Sequence, residues 1–548
     1  MSSSPTFLVH LVSIFVGVTA HLGLFIRGEW HLSAPNVVLA HLALVSLGFF
    51  AYTEACSQQS TFTALLFSSS VLLSYAAGLY GSIAVYRLFF HRLRHFPGPR
   101  MAALTKLWHV YQCRDSRNHL VLDSLHKKYG DFVRTGPEEI TIFSPEAFEA
   151  MDGASNRNTR SDWYDIVHPR ISPIFSREER DHRQRRKVWN QALSTKSIKT
   201  YLPRILSQIT KLQQAIERFE KNVVPVNDVM QWFAFDSMGE FAFNHSFNML
   251  ETAKWHDAAI QQRSALMILG AFNPTVWAIR LAFFFGSSFW RVKDWFGMVK
   301  FCDSCIKKRL ETEVDQADMA TWFIREFESG LYPDSPVLRQ NLLSGNALSV
   351  IVGGSDTTGP SLMILWYFLA LYPEHAEKIR EELRSIDTSD VDALSTLPHL
   401  NGFINESMRL LPAALTMGTR VTPSEGLVIG DTFIPGNVKI AAPRYSIFRS
   451  ESAFEDALSF IPERWYDRPQ MIKNKQAFAP FGVGRRACVG QNLALTQIRL
   501  VAAKLLLKFH VRFPMGMDKE AVIRDMRDQM TARPGQFGMF FDPIGKEN

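Results

Sequence analysis

One cysteine stands in a setting that could support metal chemistry. The run Phe481–Gly490 (FGVGRRACVG) places Cys488 directly before Gln491–Phe509, a stretch with the pattern of a strong helix. A helix N-terminus favours a thiolate, and the early glycines let the backbone turn tightly and approach a flat ligand. Arg486 offers a fork of donors for a carboxylate. The run therefore suits an iron porphyrin with its propionates; the alternative is a structural cysteine in a glycine-rich turn.

A glycine pair inside an apolar helix also needs a chemical reason. The run Gly353–Thr358 (GGSDTT) lies within 338–371, which has a helical apolar pattern. Each glycine weakens a helix by about 1 kcal/mol relative to alanine, but a flat patch leaves room for dioxygen over an iron. We expect the Thr357 hydroxyl to bond the carbonyl four residues earlier and widen the turn. Pro360 has no N–H, so it should free the carbonyl of Asp356 and open the helix locally. The alternative is an ordinary helix with a Gly-Gly packing contact.

Charged residues form two further patterns at helical spacing. His182 and Arg186 are four residues apart and share a helix face, and Glu406 and Arg409 are three residues apart on another helix. Taken alone, the first pair is explained equally well by a solvated basic face.

The chain from residue 96 to residue 548 is predicted to be one mainly α domain with a minor β part. Apolar residues recur at three- and four-residue spacing in four stretches, Leu120–Tyr129, Arg177–Leu193, Ile198–Phe219 and Asn227–Phe241. β-branched residues beside turn signals predict strands within Phe132–Thr135, Ile140–Phe143 and Leu427–Ile440.

Residues 1–95 are predicted to be a membrane anchor. Apolar runs near 5–26, 36–53 and 61–86 are free of Asp, Glu, Lys and Arg and have the length of membrane-spanning helices. The second run is the shortest and could lie in the interface instead, which gives two to three spans. A cleaved signal peptide is the alternative for the first run, but it lacks a basic n-region.

Basic residues predict the orientation of this anchor. Arg27 lies between the first two runs, and a basic cluster, 87–100, follows the third. With three spans both lie on one side, which the positive-inside rule makes cytosolic. The following domain would then be cytosolic, most simply at the endoplasmic reticulum.

Composition excludes several other classes of protein. Hydrophobic residues make up 47% of the 548 residues, which excludes intrinsic disorder. The net charge of +7 is too small for a polybasic nucleic-acid binder. Five cysteines are too few for a disulfide scaffold.

Together these motifs resemble the cytochrome P-450 superfamily, the haem-thiolate monooxygenases. The superfamily's signature, Phe-x-x-Gly-x-Arg-x-Cys-x-Gly, is matched at Phe481, Gly484, Arg486, Cys488 and Gly490. The resemblance implies the cytochrome P-450 fold, with Cys488 as the axial thiolate ligand of haem b.

The resemblance also implies roles for other residues. Asp356 and Thr357 match the acid–alcohol pair that delivers protons during oxygen activation, beside Gly353 and Gly354. Side chains that would contact the haem propionates are His182, Arg186, Arg420 and Arg486. Glu406, Arg409 and Arg464 match a buried ionic triad that is structural.

The implied function is a membrane-bound monooxygenase that inserts one oxygen atom from O₂ into a hydrophobic small molecule. Electrons would come from NADPH through a separate flavoprotein reductase, and no nucleic acid would take part. The narrower resemblance is to fungal secondary-metabolism oxidases such as tryprostatin B hydroxylases. Two alternatives are a haem-thiolate isomerase or dehydratase and a non-catalytic haem-binding membrane protein. The sequence does not name the substrate.

Overall fold

The computed structural model describes residues 5–56, 58–329, 335–416 and 418–545. The N-terminal helices are α1 (Pro5–Ala20), α2 (Ala34–Ala55) and α3 (Thr61–Val85), with π-helical turns at His21–Phe25 and Tyr86–Phe90. Within these described ranges, three helical segments are long and apolar enough to cross a membrane: Thr6–Phe25, Ala34–Ala55 and Thr61–Phe90. The second apolar run thus forms a helix of 22 residues.

Two glycines allow α1 and α3 to pack closely. A Cβ atom at Gly17 would collide with the carbonyl oxygen of Tyr75, and one at Gly78 would collide with the carbonyl oxygen of Ile14. Small residues let backbones approach each other in this way, as they do between helices in a bilayer. The helix pair is therefore specified by shape as well as by its apolar character.

Helices dominate the rest of the chain, which confirms the prediction of a mainly α fold. They are α4 (Arg100–Leu104), α5 (Leu107–Gln112), α6 (Asn118–Tyr129), α7 (Ala147–Asp152), α8 (Glu179–Ala192), α9 (Thr195–Glu217), α10 (Val226–Phe243), α11 (Met249–Thr252), α12 (Asp257–Leu266), α13 (Ile268–Phe272), α14 (Val276–Phe285), α15 (Trp290–Leu310), α16 (Met319–Glu328), α17 (Pro336–Leu371), α18 (Pro373–Leu383), α19 (Val391–Thr396), α20 (Pro398–Leu410), α21 (Arg444–Ile447), α22 (Gln491–Leu506) and α23 (Ala521–Arg524). Helix α22 ends before the predicted Phe509 because that residue begins a strand.

The minor β part consists of short strands. They are β1 (Phe132–Gly136), β2 (Glu139–Ile142), β3 (Thr159–Arg160), β4 (Val224–Pro225), β5 (Thr419–Val421), β6 (Leu427–Ile429), β7 (Thr432–Ile434), β8 (Lys439–Ala441), β9 (Phe509–Arg512), β10 (Arg527–Gln529), β11 (Thr531–Arg533) and β12 (Gly538–Pro543). One sheet has the order β1-β2-β8-β5-β3 and another β4-β12-β9, and β6-β7 and β10-β11 are hairpins. Within the first sheet, β2 and β8 are parallel and the other pairs are antiparallel.

The long helix α17 lies in the core, where it packs against α10 and contacts α22. Most of its side chains from Leu342 to Leu369 are buried. The opening expected at Pro360 does not interrupt the helix, which continues to Leu371. Near Pro360, the Ser361 hydroxyl donates a hydrogen bond to the carbonyl oxygen of Thr357, 2.8 Å away.

Candidate active site

The loop around Cys488, residues 481–490, has the tight turns that the sequence predicts. Gly482 and Gly484 have φ of +72° and +64°, a region that favours glycine. A Cβ atom at Gly484 would also collide with the carbonyl oxygen of Asp152. The amide of Cys488 donates to the carbonyl of Phe481 at 2.7 Å, which closes the loop before α22.

Donors converge on the sulfur atom of Cys488. The side chain is reachable from solvent, yet it lies deep enough for burial to raise the pKa of its thiol. The backbone N–H groups of Gly490 and Gln491 and the Arg186 guanidinium oppose that rise. These are the donors that stabilise a thiolate, so a bound metal ion would complete the deprotonation.

Four arginines gather around a buried histidine beside this loop. Burial lowers the pKa of His182 to about 3, and the charges of Arg160, Arg486, Arg186 and Arg420 add to that effect. We call these four residues the arginine cluster. The Nε2 atom of His182 finds no hydrogen-bond partner within the described ranges. The sequence predicted every member of this group except Arg160.

Sheet register brings two of these arginines side by side. Arg160 of β3 is the antiparallel register partner of Arg420 of β5, and directly opposite residues lie on the same face of a sheet. Like charges placed in this way destabilise a sheet. Burial also lowers the pKa of Arg160 to about 9.

The arginine cluster has little acidic compensation. Asp152 lies 2.6 and 2.7 Å from the guanidinium of Arg420, so Arg420 already has a carboxylate partner. Arg160 bonds the carbonyl of Ser176 at 2.9 Å, Arg186 that of Ala487 at 2.6 Å, and Arg486 that of Ser176 at 3.0 Å. Excess positive charge beside an imidazole whose Nε2 has no partner among the described residues suits an anionic ligand, and the two propionates of a porphyrin fit this description.

Helix α17 carries the residues predicted for oxygen chemistry. The Thr357 hydroxyl lies 2.8 Å from the carbonyl oxygen of Gly353, as the sequence predicts. Gly353 has open space before it, since the nearest atom to a Cβ there would be Ile174 Cδ1 at 3.8 Å. Gly354 packs instead against the Met238 side chain.

Asp356 has partners that the sequence did not predict. Its carboxylate is fully buried and accepts hydrogen bonds from Thr531 and Arg533 of β11. These residues lie about 175 positions further along the chain, so no local pattern could reveal the pair. The acid of the predicted proton pathway is thus held in place by an ion pair.

The predicted ionic triad is assembled and fully buried. Glu406 Oε1 lies 2.8 Å from Arg409 Nη2 and 3.1 Å from Arg464 Nε. The amide of Ile461 and the indole N–H of Trp465 also donate to this carboxylate, each at 2.9 Å. All three charged side chains are 0% exposed, so each depends on the others.

Comparisons with known proteins agree with this fold and site. The family model for cytochrome P-450 matches residues 97–538. The chain is 35% identical over 514 residues to tryprostatin B 6-hydroxylase of Aspergillus fumigatus, covering 92% of this chain and 90% of that relative. It is 34% identical over 529 residues to cytochrome P-450 monooxygenase notG' of Aspergillus versicolor, covering 96% of both.

A solved structure shows the same fold. The crystal structure of the cytochrome P-450DA haem domain superposes with a TM-score of 0.65, covering 82% of this chain and 97% of that one at 17% identity. The fold and the arginine-flanked cysteine loop define a haem-thiolate protein. The chain belongs to the cytochrome P-450 family. The predictions of this fold, of a monooxygenase and of haem b with an axial thiolate are confirmed.

Replacing Glu406 by Gln should destabilise the domain strongly. The change leaves Arg409 and Arg464 without their shared carboxylate in a buried position, which costs about 3–5 kcal/mol. We expect a matching fall in the free energy of unfolding in urea, with loss of bound haem. Glu217, half-exposed beside Lys508, is the control: if Glu217→Gln lost as much stability, the triad would not be the cause.

Proposed function

We propose that this chain is a membrane-anchored monooxygenase that inserts one oxygen atom from O₂ into a hydrophobic small molecule of fungal secondary metabolism. The observation that carries the proposal is the arginine cluster around His182, which contacts the Cys488 loop through Arg186. Relatives named tryprostatin B 6-hydroxylase and cytochrome P-450 monooxygenase support the reaction class.

In this proposal the sulfur of Cys488 would hold the haem iron, and the haem would supply dioxygen activation when bound. Phe481, Gly484 and Gly490 shape the loop that holds the ligand. His182, Arg186, Arg420 and Arg486 bind the propionates. Arg420 also pairs with Asp152. It would therefore bind a propionate while its salt bridge to Asp152 keeps β5 in place beside β3.

Asp356 and Thr357 carry protons toward the oxygen substrate. The Thr357 hydroxyl is oriented by the carbonyl of Gly353, next to the open patch at that glycine. Arg533 and Thr531 hold the Asp356 side chain in a fixed position inside the core, where an unpaired carboxylate would be strongly disfavoured. Arg533 is thus a positioning residue for the acid.

Contacts between the anchor and the domain support the placement of the α1–α2 loop on the same side of the membrane as the domain. His31 Nε2 lies 2.8 Å from a carboxylate oxygen of Asp165, and Arg177 lies 2.6 and 2.7 Å from the carboxylate of Glu29. The α1–α2 loop and the domain that starts at residue 96 are therefore on one side, which the positive-inside rule makes cytosolic. We infer an endoplasmic reticulum protein with three spans within 1–95.

An apolar surface continues from the anchor to the domain. Helix α14 contacts α2, and Trp277, Phe284 and Phe285 of α14 are 39%, 54% and 50% exposed. Such a surface suits contact with lipid. It supports a hydrophobic substrate that reaches the enzyme from the membrane.

The electron donor in this proposal is an NADPH-dependent flavoprotein reductase. Arg183, Lys187 and Arg485 are exposed near the Cys488 loop, and basic residues in this position would attract an acidic docking face. Glu179 forms salt bridges with both Arg183 and Arg485. Of the three basic residues, Lys187 is therefore the one whose charge is least neutralised by an acidic side chain.

Replacing Cys488 by Ala should remove the thiolate signature of the haem. We expect the reduced carbon monoxide complex to lose its red-shifted Soret band, because no other ligand supplies a thiolate at this position. Cys305→Ala is the control, since burial raises the pKa of that thiol to about 12. An unchanged spectrum in the Cys488 variant would refute the ligand assignment.

Replacing Thr357 by Ala should uncouple the enzyme. With reductase and NADPH present, we expect product per NADPH to fall at least tenfold and hydrogen peroxide to rise, because positioned proton transfer typically contributes 10²–10⁴-fold. Thr357→Ser should restore coupling. Ser361→Ala, which removes a similar hydroxyl one turn further along, should couple like the parent; equal loss in both alanine variants would argue against a proton role.

Arg533→Met tests the partner of Asp356. The variant leaves the buried carboxylate without its cation, so we expect coupling to fall by severalfold while the carbon monoxide spectrum stays that of the parent. Arg512 forms an exposed pair with Asp542, and Arg512→Met should have no effect on coupling. Full coupling in Arg533→Met would show that the ion pair does not serve proton delivery.

A further inference from the structure

We propose that His375, His399 and Glu463 form a zinc site separate from the haem site. His375 lies in the first turn of α18 and His399 in the first turn of α20, while Glu463 lies in the turn Pro462–Trp465. These positions are far apart in sequence, yet one ligand atom from each lies within 4.8 Å of the other two. The inference does not depend on the proposed function.

The distances between the donor atoms fit a tetrahedral ion. His375 Nδ1 lies 3.1 Å from His399 Nε2 and 3.8 Å from Glu463 Oε1. Zinc bonds to imidazole nitrogen and carboxylate oxygen place neighbouring ligand atoms about 3.3 Å apart. Small rotations of the side chains would therefore bring three ligands to one ion. Two imidazoles with one carboxylate select Zn²⁺ over Mg²⁺ or Ca²⁺.

A partner for the second ring nitrogen of His399 is already in place. The Tyr466 hydroxyl lies 2.8 Å from His399 Nδ1. Histidines that bind a metal usually donate their other N–H to an oxygen, which fixes the tautomer and orients the ring. When Nδ1 donates to Tyr466, Nε2 carries the lone pair that faces His375 and Glu463.

Both histidines are buried, and aromatic rings pack around them. His375 is 7% and His399 3% exposed, and the rings of Phe403 and Phe460 pack against His375. When His399 Nε2 carries the lone pair, His375 Nδ1 donates the hydrogen bond between the two rings at 3.1 Å. Zinc binding to both nitrogens therefore requires that this proton moves to the other nitrogen of the His375 ring.

A second group of histidine and carboxylate side chains differs from the proposed zinc site in the basic residue that pairs with it. Glu29, His31 and Asp165 also lie close together, but Arg177 donates to both carboxylates at 2.6 and 2.7 Å and so takes the place of a cation. At the proposed site the competing cation is Lys378, 2.7 Å from Glu463 Oε1.

The Lys378 side chain is 53% exposed, so it can withdraw into solvent when zinc binds. Its positive charge opposes the ion as long as it stays near Glu463. Removing this lysine should therefore tighten zinc binding, an effect that a purely structural histidine pair would not show.

A bound ion would link three segments next to the ionic triad. Glu463 directly precedes Arg464, and His399 lies on the same helix as Glu406 and Arg409. Zinc would hold α18, α20 and this turn together without touching substrate or haem. A ligand that binds only the folded state stabilises it, so zinc should raise the unfolding temperature.

The test uses the full chain with haem, purified in detergent without a histidine tag and treated with EDTA. Zn²⁺ is then titrated against a chromophoric chelator, and bound zinc is measured by elemental analysis. We expect one zinc ion per chain. His375→Gln and His399→Gln should weaken binding at least tenfold, and Tyr466→Phe by about 10–100-fold. Lys378→Gln should bind severalfold more tightly.

His126 provides the matched control, because it contacts Asp131 at 2.9 Å outside the proposed site. His126→Gln should bind zinc like the parent. The proposal is overturned if the parent binds no zinc at micromolar free metal, or if both site histidine variants bind as tightly as the parent. If those variants lose their haem spectrum, Lys378→Gln decides: tighter binding supports the site and unchanged or weaker binding overturns it.

Discussion

The structure around the Cys488 loop depends on how the positive charge of the arginine cluster is neutralised. The four guanidinium groups of the arginine cluster act on the buried ring of His182, and two of them face each other across a strand pair. Asp152 neutralises part of this charge. A bound anion would stabilise an arrangement of this kind, and the two carboxylates of a porphyrin held at the Cys488 loop would supply that charge.

The remaining architecture joins the elements around the Cys488 loop. Helix α22 starts at Gln491, three residues after Cys488, and packs on α17. The Cys488 loop and the Gly353–Thr357 segment therefore belong to adjoining elements. The ionic triad fixes α20 against the segment that ends at Trp465. Asp356 bonds to Thr531 and Arg533 of β11, which fixes the β10–β11 hairpin against α17.

The sequence predicted the local features, and the family resemblance added the long-range partner Arg464 of the ionic triad. Other long-range contacts were missed. The Cys488 loop, the Thr357 back-bond and the Glu406–Arg409 pair each depend on residues a few positions apart, so spacing was sufficient to find them. Arg160 joins the cluster through β3, a strand of two residues that no periodicity can indicate. Arg533 reaches Asp356 from β11, and Asp152 reaches Arg420 across 268 positions.

The central claim is that a thiolate sulfur of this chain binds the haem iron. X-ray absorption at the iron edge of the purified, haem-loaded chain tests it directly, because sulfur scatters differently from nitrogen and oxygen. The structure predicts one sulfur neighbour at the iron in addition to the porphyrin nitrogens. A first shell made of nitrogen and oxygen alone would contradict the account.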